Sequence, residues 1–172
     1  MRAALTINRN AKSSTRFLET RHGGLNMGKF VLSKRREHEI TKTVAGLFFE
    51  NGGIESKKVC TYLMKKHRMQ PIPYGILPGN LQKILCRRCG KYGFIIPLNG
   101  GRILFFYNSR QPGRELRKTL WHELGHIQLG HRQGSQLAEA EADFFMETAL
   151  LWETMLDSIL EGLPMDVFTK TA

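Results

Sequence analysis

Three cysteines, an odd number in 172 residues, cannot build a disulfide scaffold, and their scarcity points to a reducing compartment. Long apolar runs are missing too. The longest, such as Ile103 to Tyr107 and Ala149 to Trp152, fall far short of the ~18 residues that span a bilayer, so no membrane partner is expected. Nor does Met1 to Asn26 hold the continuous apolar run of ~7 or more that a secretory signal needs. These absences predict a soluble protein with the cytoplasm as its location. The length suits one domain of roughly 150 residues and excludes two fused enzymes. With 41% of residues hydrophobic, disorder throughout is excluded as well, because a chain of this size can bury about 70% of its unfolded surface.

Acidic residues are few, 15 against 26 Lys or Arg, and they are unevenly placed. Residues 1–42 hold ten Lys or Arg against three Asp or Glu, residues 43–134 fifteen against four, and residues 135–172 one against eight. A basic body thus precedes an acidic C-terminal block. Its field attracts anionic partners, which keeps nucleic acid and acidic proteins among the candidates. A solvated basic face is the plainer account, since neither zinc-finger spacing nor an aromatic ladder accompanies the charge.

Residues 1–32 read as a flexible basic lead-in, 33–163 as the folded domain and 164–172 as a tail. Gly23-Gly24 can be encoded GGA-GGN, a ribosome-binding sequence just ahead of a Met27 start codon, so residues 1–26 are a candidate translated leader. From Ser33 onward Ile40, Val44, Leu47 and Phe48 recur at helical spacing until Gly52-Gly53. Ser56 caps a shorter helix carrying Val59, Tyr62 and Leu63, ending near His67. Pro71 and Pro73 force extended backbone, and a strand-rich stretch follows. Gly93 to Leu98 and Arg102 to Tyr107 flank Asn99-Gly100-Gly101, a hairpin signal because glycine tolerates positive φ. Pro97 favours an edge position for the first strand, and the second, Arg102 to Asn108, is a candidate substrate-binding edge. Leu116, Leu120, Leu124 and Ile127 form one stripe over Arg114 to Leu129, stopped by Gly130. Ser135 caps a last helix, Gln136 to Glu161, with Leu137, Phe144, Leu151 and Ala138, Phe145, Trp152, Ile159 at seven-residue steps. Helix, helix, strands, helix, helix predicts an α+β domain with a small sheet.

His122-Glu123-Leu124-Gly125-His126, the H-E-x-x-H pattern, lies on the third of these helices with its histidines off the apolar stripe. Histidines at i and i+4 stand one above the other, about 6 Å apart at Cβ, which suits two ligands of one tetrahedral zinc. Glu123 leans beside them and can reach a zinc-bound water without ligating the metal. Zinc lowers the pKa of that water to about 7, so the carboxylate can take its proton and hand it to a leaving amine. The reaction class is metal-assisted amide hydrolysis. A catalytic zinc needs a third protein ligand. In the metzincin layout a third histidine completes H-E-x-x-H-x-x-G-x-x-H, but here Gly130 comes one place late and His131 one place early. The gluzincin layout takes a glutamate from a later helix, and the segment Ala138 to Asp143 offers Glu139 or Glu141. Glu139 is favoured because Asp143, four residues on, can then accept a hydrogen bond from the free ring nitrogen of a ligating histidine. Without the pentad upstream, these acids would read as a solvated helix face.

Leu120 to His131 and Glu139 to Phe145, with the early helices and the strand pair ending Phe105-Phe106-Tyr107-Asn108, resemble the ImmA/IrrE family of metallopeptidases over Ile40 to Leu151. The resemblance implies a minimal gluzincin fold, one zinc held by His122, His126 and a glutamate of the Glu139 to Ala142 segment, and Glu123 as catalytic acid/base. It further implies a protein substrate: a helix-turn-helix repressor or antitoxin, cleaved in stress response or mobile-element regulation. One departure is plain. Where relatives read Phe-Ala and Leu-Leu-x-Pro, this chain has Phe145-Met146 and Leu150-Leu151-Trp152, so its final helix runs on.

Cys86-Arg87-Arg88-Cys89 has zinc-knuckle spacing, but a structural site needs two more ligands, for which Cys60 and His67 are the candidates. A redox pair activated by Arg87 and Arg88 is another option, two ordinary thiols the plainest, and a second zinc is not expected. His131, Tyr107 and Tyr92 are candidate oxyanion stabilisers, set against ordinary capping and core roles. The overall expectation is a cytoplasmic zinc-dependent endopeptidase with one catalytic zinc. The alternative is a non-catalytic regulatory module of the same fold, holding a repressor or binding nucleic acid through its basic surface. Glu123 argues against it, since a structural site has no need of a general base.

Overall fold

A computed structural model describes residues 30–51, 56–88, 92–131 and 134–162. Ser33 starts α1 (Lys34–Glu50) by accepting the Arg36 backbone N–H on its hydroxyl at 3.3 Å, which satisfies one of the amides a helix start leaves unpaired. Ile40, Val44, Leu47 and Phe48 then fall on one buried face. Leu32, which the sequence assigns to the lead-in, is buried with them, so the ordered core begins ahead of the helix. Residues 1–29 and 163–172 lie outside the described residues. α2 (Ser56–Lys66) adds Val59 and Leu63 to the same core.

Three strands follow: β1 (Met69–Pro73), β2 (Gly93–Pro97) and β3 (Ile103–Tyr107), in the order β1-β3-β2. β2 and β3 are the expected antiparallel hairpin, with Gly100 and Gly101 at φ 78° and 73° in the turn. β1 pairs with β3 in parallel, Pro71 opposite Phe105. This corrects the reading of Arg102 to Asn108 as a binding edge. β3 is the central strand, because the proline-rich segment, expected only to be extended, takes its other side. β2 with Pro97 is indeed at the edge.

The strands alternate with period two. Ile95, Phe105 and Met69 enter the main core, while Phe94, Ile96 and Phe106 face a smaller cluster with Tyr74, Leu85 and Cys86. That second face is covered by α3 (Gly79–Arg88), a helix the sequence reading did not place. Leu81, Ile84 and Leu85 repeat over barely two turns, and Leu81 and Ile84 remain exposed, so no continuous stripe announces it.

α4 (Gly113–Gln128) and α5 (Gln136–Gly162) close the other side of the sheet. Gly130 ends α4 region at φ 71°, and the Ser135 hydroxyl caps α5 by accepting the Ala138 N–H at 3.0 Å. Trp121, fully buried, lies between Phe48 and Phe145 with ring centroids 5.8 and 6.3 Å away. Of the two seven-residue series on α5, Ala138 and Phe145 are buried, whereas Leu137 and Leu151 are exposed, a correction to that helix's expected face. The Ile159 side chain lies outside what is described. Among the described residues the architecture is α+β, five α-helices with a three-stranded mixed sheet, and no helix is long and apolar enough to cross a membrane.

Candidate metal centre

The two helices that close the core approach each other at Gly125. A Cβ there would lie 3.2 Å from Phe145 Cβ and 3.3 Å from Ala142 Cα, so a larger residue would need α5 to give by a few tenths of an ångström. Glu139, one turn before Ala142 on α5, is thereby carried to His122 and His126 on α4. Both histidines and the intervening Glu123 are buried.

The ligating atoms converge. His122 Nε2 lies 3.0 Å from His126 Nε2, Glu139 Oε2 is 3.4 Å from the first, and Glu139 Oε1 is 3.5 Å from the second. Ligand atoms held at 2.0–2.1 Å around a tetrahedral zinc stand about 3.3 Å apart. His122, His126 and Glu139 are the one group of three or more His, Cys, Asp or Glu among the described residues whose donor atoms, within 4.8 Å of one another, could hold a metal ion.

The outward ring nitrogens are engaged as well. His122 Nδ1 lies 2.8 Å from Asp143 Oδ1, and a carboxylate can only accept, so Nδ1 carries the proton and Nε2 keeps its lone pair. His126 Nδ1 meets His131 Nδ1 at 3.0 Å. The other nitrogen of His131, Nε2, donates to Glu141 Oε2 at 2.8 Å. Glu141 is held in turn by a two-pronged ion pair from α1: Arg36 Nε to Oε1 at 2.8 Å and Nη2 to Oε2 at 2.9 Å. The guanidinium keeps the Glu141 carboxyl below its usual range against the opposing effect of burial, and Glu141 raises the Arg36 pKa in return.

The structure therefore brings together His122, His126, Glu139 and Asp143, with Glu123 buried beside His122 on α4. Glu141, the alternative third ligand, is turned to Arg36 and His131. His131, read as an oxyanion candidate, has a partner on each ring nitrogen and sits behind His126. Tyr107 stacks on Phe105 at 5.5 Å against the main core, and Tyr92 is exposed with its carbonyl accepting from Asn108 and Gln111. Cys60 is buried in the main core while Cys86 packs on the smaller cluster, so they occupy separate places; Cys89 lies outside the described residues. His67 meets Gln128 Oε1 at 3.3 Å instead of a cysteine. Arg36 escaped sequence reasoning because it lies 105 residues from its partner, and nothing local marks it.

Comparison with protein-family models, curated proteins and solved structures finds no match for this chain.

Proposed function

We propose that the chain is a zinc-dependent endopeptidase of the gluzincin type, akin to the ImmA/IrrE metallopeptidases and working in the cytoplasm. The observation that carries this reading is the triangle of His122 Nε2, His126 Nε2 and Glu139 carboxylate atoms at 3.0 to 3.5 Å, with Asp143 on His122 Nδ1 leaving the Nε2 lone pair facing the other two. Two imidazole nitrogens and a carboxylate are the donor set that zinc favours in hydrolytic sites. Zinc held by His122, His126 and Glu139 would acidify a water and polarise the scissile carbonyl.

Glu123 provides the base. Its carboxylate, buried on the same turn as His122, takes the proton of the attacking water and releases it to the leaving amine. Asp143 keeps His122 in the ligating tautomer. The expected substrate is a folded regulator with an exposed, extended cleavage segment, of the repressor or antitoxin kind. The basic body of residues 43–134 favours acidic segments of such a protein through long-range attraction.

The test is a Glu123→Gln variant beside wild type, assayed for bound metal and for peptide cleavage. We expect about one zinc per chain in both and a loss of cleavage of roughly 10²-fold or more in the variant. Cleavage at wild-type rate would remove Glu123 from the chemistry. Zinc binding with no cleavage by wild type of any offered repressor would favour the non-catalytic regulatory module.

A further inference from the structure

We propose that His131, Glu141 and Arg36 form a positioning relay that fixes the ring of His126 in its metal-ligating tautomer and ties that ligand to α1. The inference rests on the metal centre proposed above and goes beyond it. No metal ligand belongs to α1, yet this helix ends up two hydrogen bonds behind His131.

The direction of every bond follows from donor chemistry. Arg36 only donates, and it covers both oxygens of Glu141 at 2.8 and 2.9 Å. An ionised Glu141 only accepts, so His131 Nε2, 2.8 Å away, must carry a proton. A neutral imidazole has one N–H, which leaves His131 Nδ1 as an acceptor. His126 Nδ1, at 3.0 Å, is then the donor, and the lone pair of His126 falls on Nε2, the atom facing His122 and Glu139. Reversing the His126–His131 bond would put the proton of a neutral His126 on Nε2 and remove that atom's capacity to bind metal. A backbone bond fixes the same pair, His131 N–H donating to His126 C=O at 2.9 Å.

The two histidines are thus supported differently. His122 uses a single carboxylate, Asp143, whose side chain is 59% exposed. His126 leans on His131 and Glu141, which are 10% and 8% exposed, and only Arg36, at 34%, reaches solvent. Water competes poorly for the buried links, so the relay holds its proton order where an exposed acid would share it with solvent.

Zinc affinity measured by competition with a chromogenic chelator tests this, together with the visible spectrum of cobalt(II)-loaded protein, which reports coordination. We expect His131→Ala to weaken zinc about 10- to 100-fold, the usual effect of removing a ligand's outer partner, and to alter the cobalt bands. His131→Asn, whose amide oxygen can accept from His126 Nδ1, recovers part of the loss and also serves should the alanine variant not fold. Arg36→Ala weakens zinc less, and the double variant with His131→Ala is no weaker than His131→Ala alone, because Arg36 acts only through His131. Affinities of both His131 variants within twofold of wild type would overturn the relay while leaving the metal centre intact, and so would independent, additive losses. Wild type that takes up neither zinc nor cobalt would instead remove the metal centre and the relay with it.

Discussion

Trp121 is fully buried, and its indole Nε1–H finds its acceptor in Glu153, whose carboxylate oxygen lies 3.0 Å away and whose second oxygen takes Arg117 at 3.3 Å. Glu153→Leu would leave that N–H without a partner, and we expect a loss of about 1–3 kcal/mol in urea unfolding. Glu153→Gln keeps an acceptor of the same size, so most of that stability should remain. A Gln variant as damaged as the Leu variant would show that charge, not the indole bond, matters here. The pairing of His122 with His126 was legible because their spacing falls within a single helical turn or so. Partnerships such as Trp121 with Glu153, 32 residues apart, or Arg36 with Glu141, were not, since no local period connects them. His131 and Glu141 were both singled out by residue type and both turned out to face each other.

At the scale of elements, two glycines set how closely the pieces pack. Gly93 opens β2 where a Cβ would fall 2.7 Å from Thr119 Cγ2 on α4 and 2.8 Å from the Phe106 carbonyl oxygen. The backbone oxygen cannot swing aside, so Gly93→Ala should cost about 1–3 kcal/mol, the usual range for overpacking, read as a lower urea midpoint. Gly125→Ala presses on Phe145 and Ala142 between the two helices that carry the proposed metal ligands. We expect a smaller loss of stability than at Gly93, together with weaker binding of the proposed zinc, whereas Gly93→Ala should leave that affinity nearly unchanged. Equal effects of the two on zinc would mean that α4–α5 spacing does not govern the centre. The helix cap at Ser135, the hairpin glycines and the stop at Gly130 were readable because each is a local rule about backbone groups. α3 and the parallel seat of β1 were not, because both are decided by what covers a sheet face or edge far along the chain.

For the whole molecule, the proposed metal joins α4 to α5 and, through the relay, to α1. Ligand that binds only the folded state adds stability by mass action, about 2.7 kcal/mol when free zinc is 100 times its Kd. Chelator treatment should therefore lower the melting temperature, and added zinc should restore it. An unchanged Tm in zinc and in chelator would argue against a metal bound by the folded protein. The charge division has its own reach. Arg36, within the basic first quarter of the chain, is paired with Glu141 of the acidic last segment, so part of the asymmetry visible in the sequence is cancelled inside the fold.

The prolines of β1 carry one more consequence. In a strand, backbone N–H groups of alternate residues point to the same side, and Pro71 and Pro73 have none to give. Their nitrogens fit the side away from β3, which leaves the outer margin of β1 short of donors just where another chain would seek to pair. On the opposite margin β2 ends in Pro97. Prolines placed this way on both outer strands disfavour the addition of a further strand at either border.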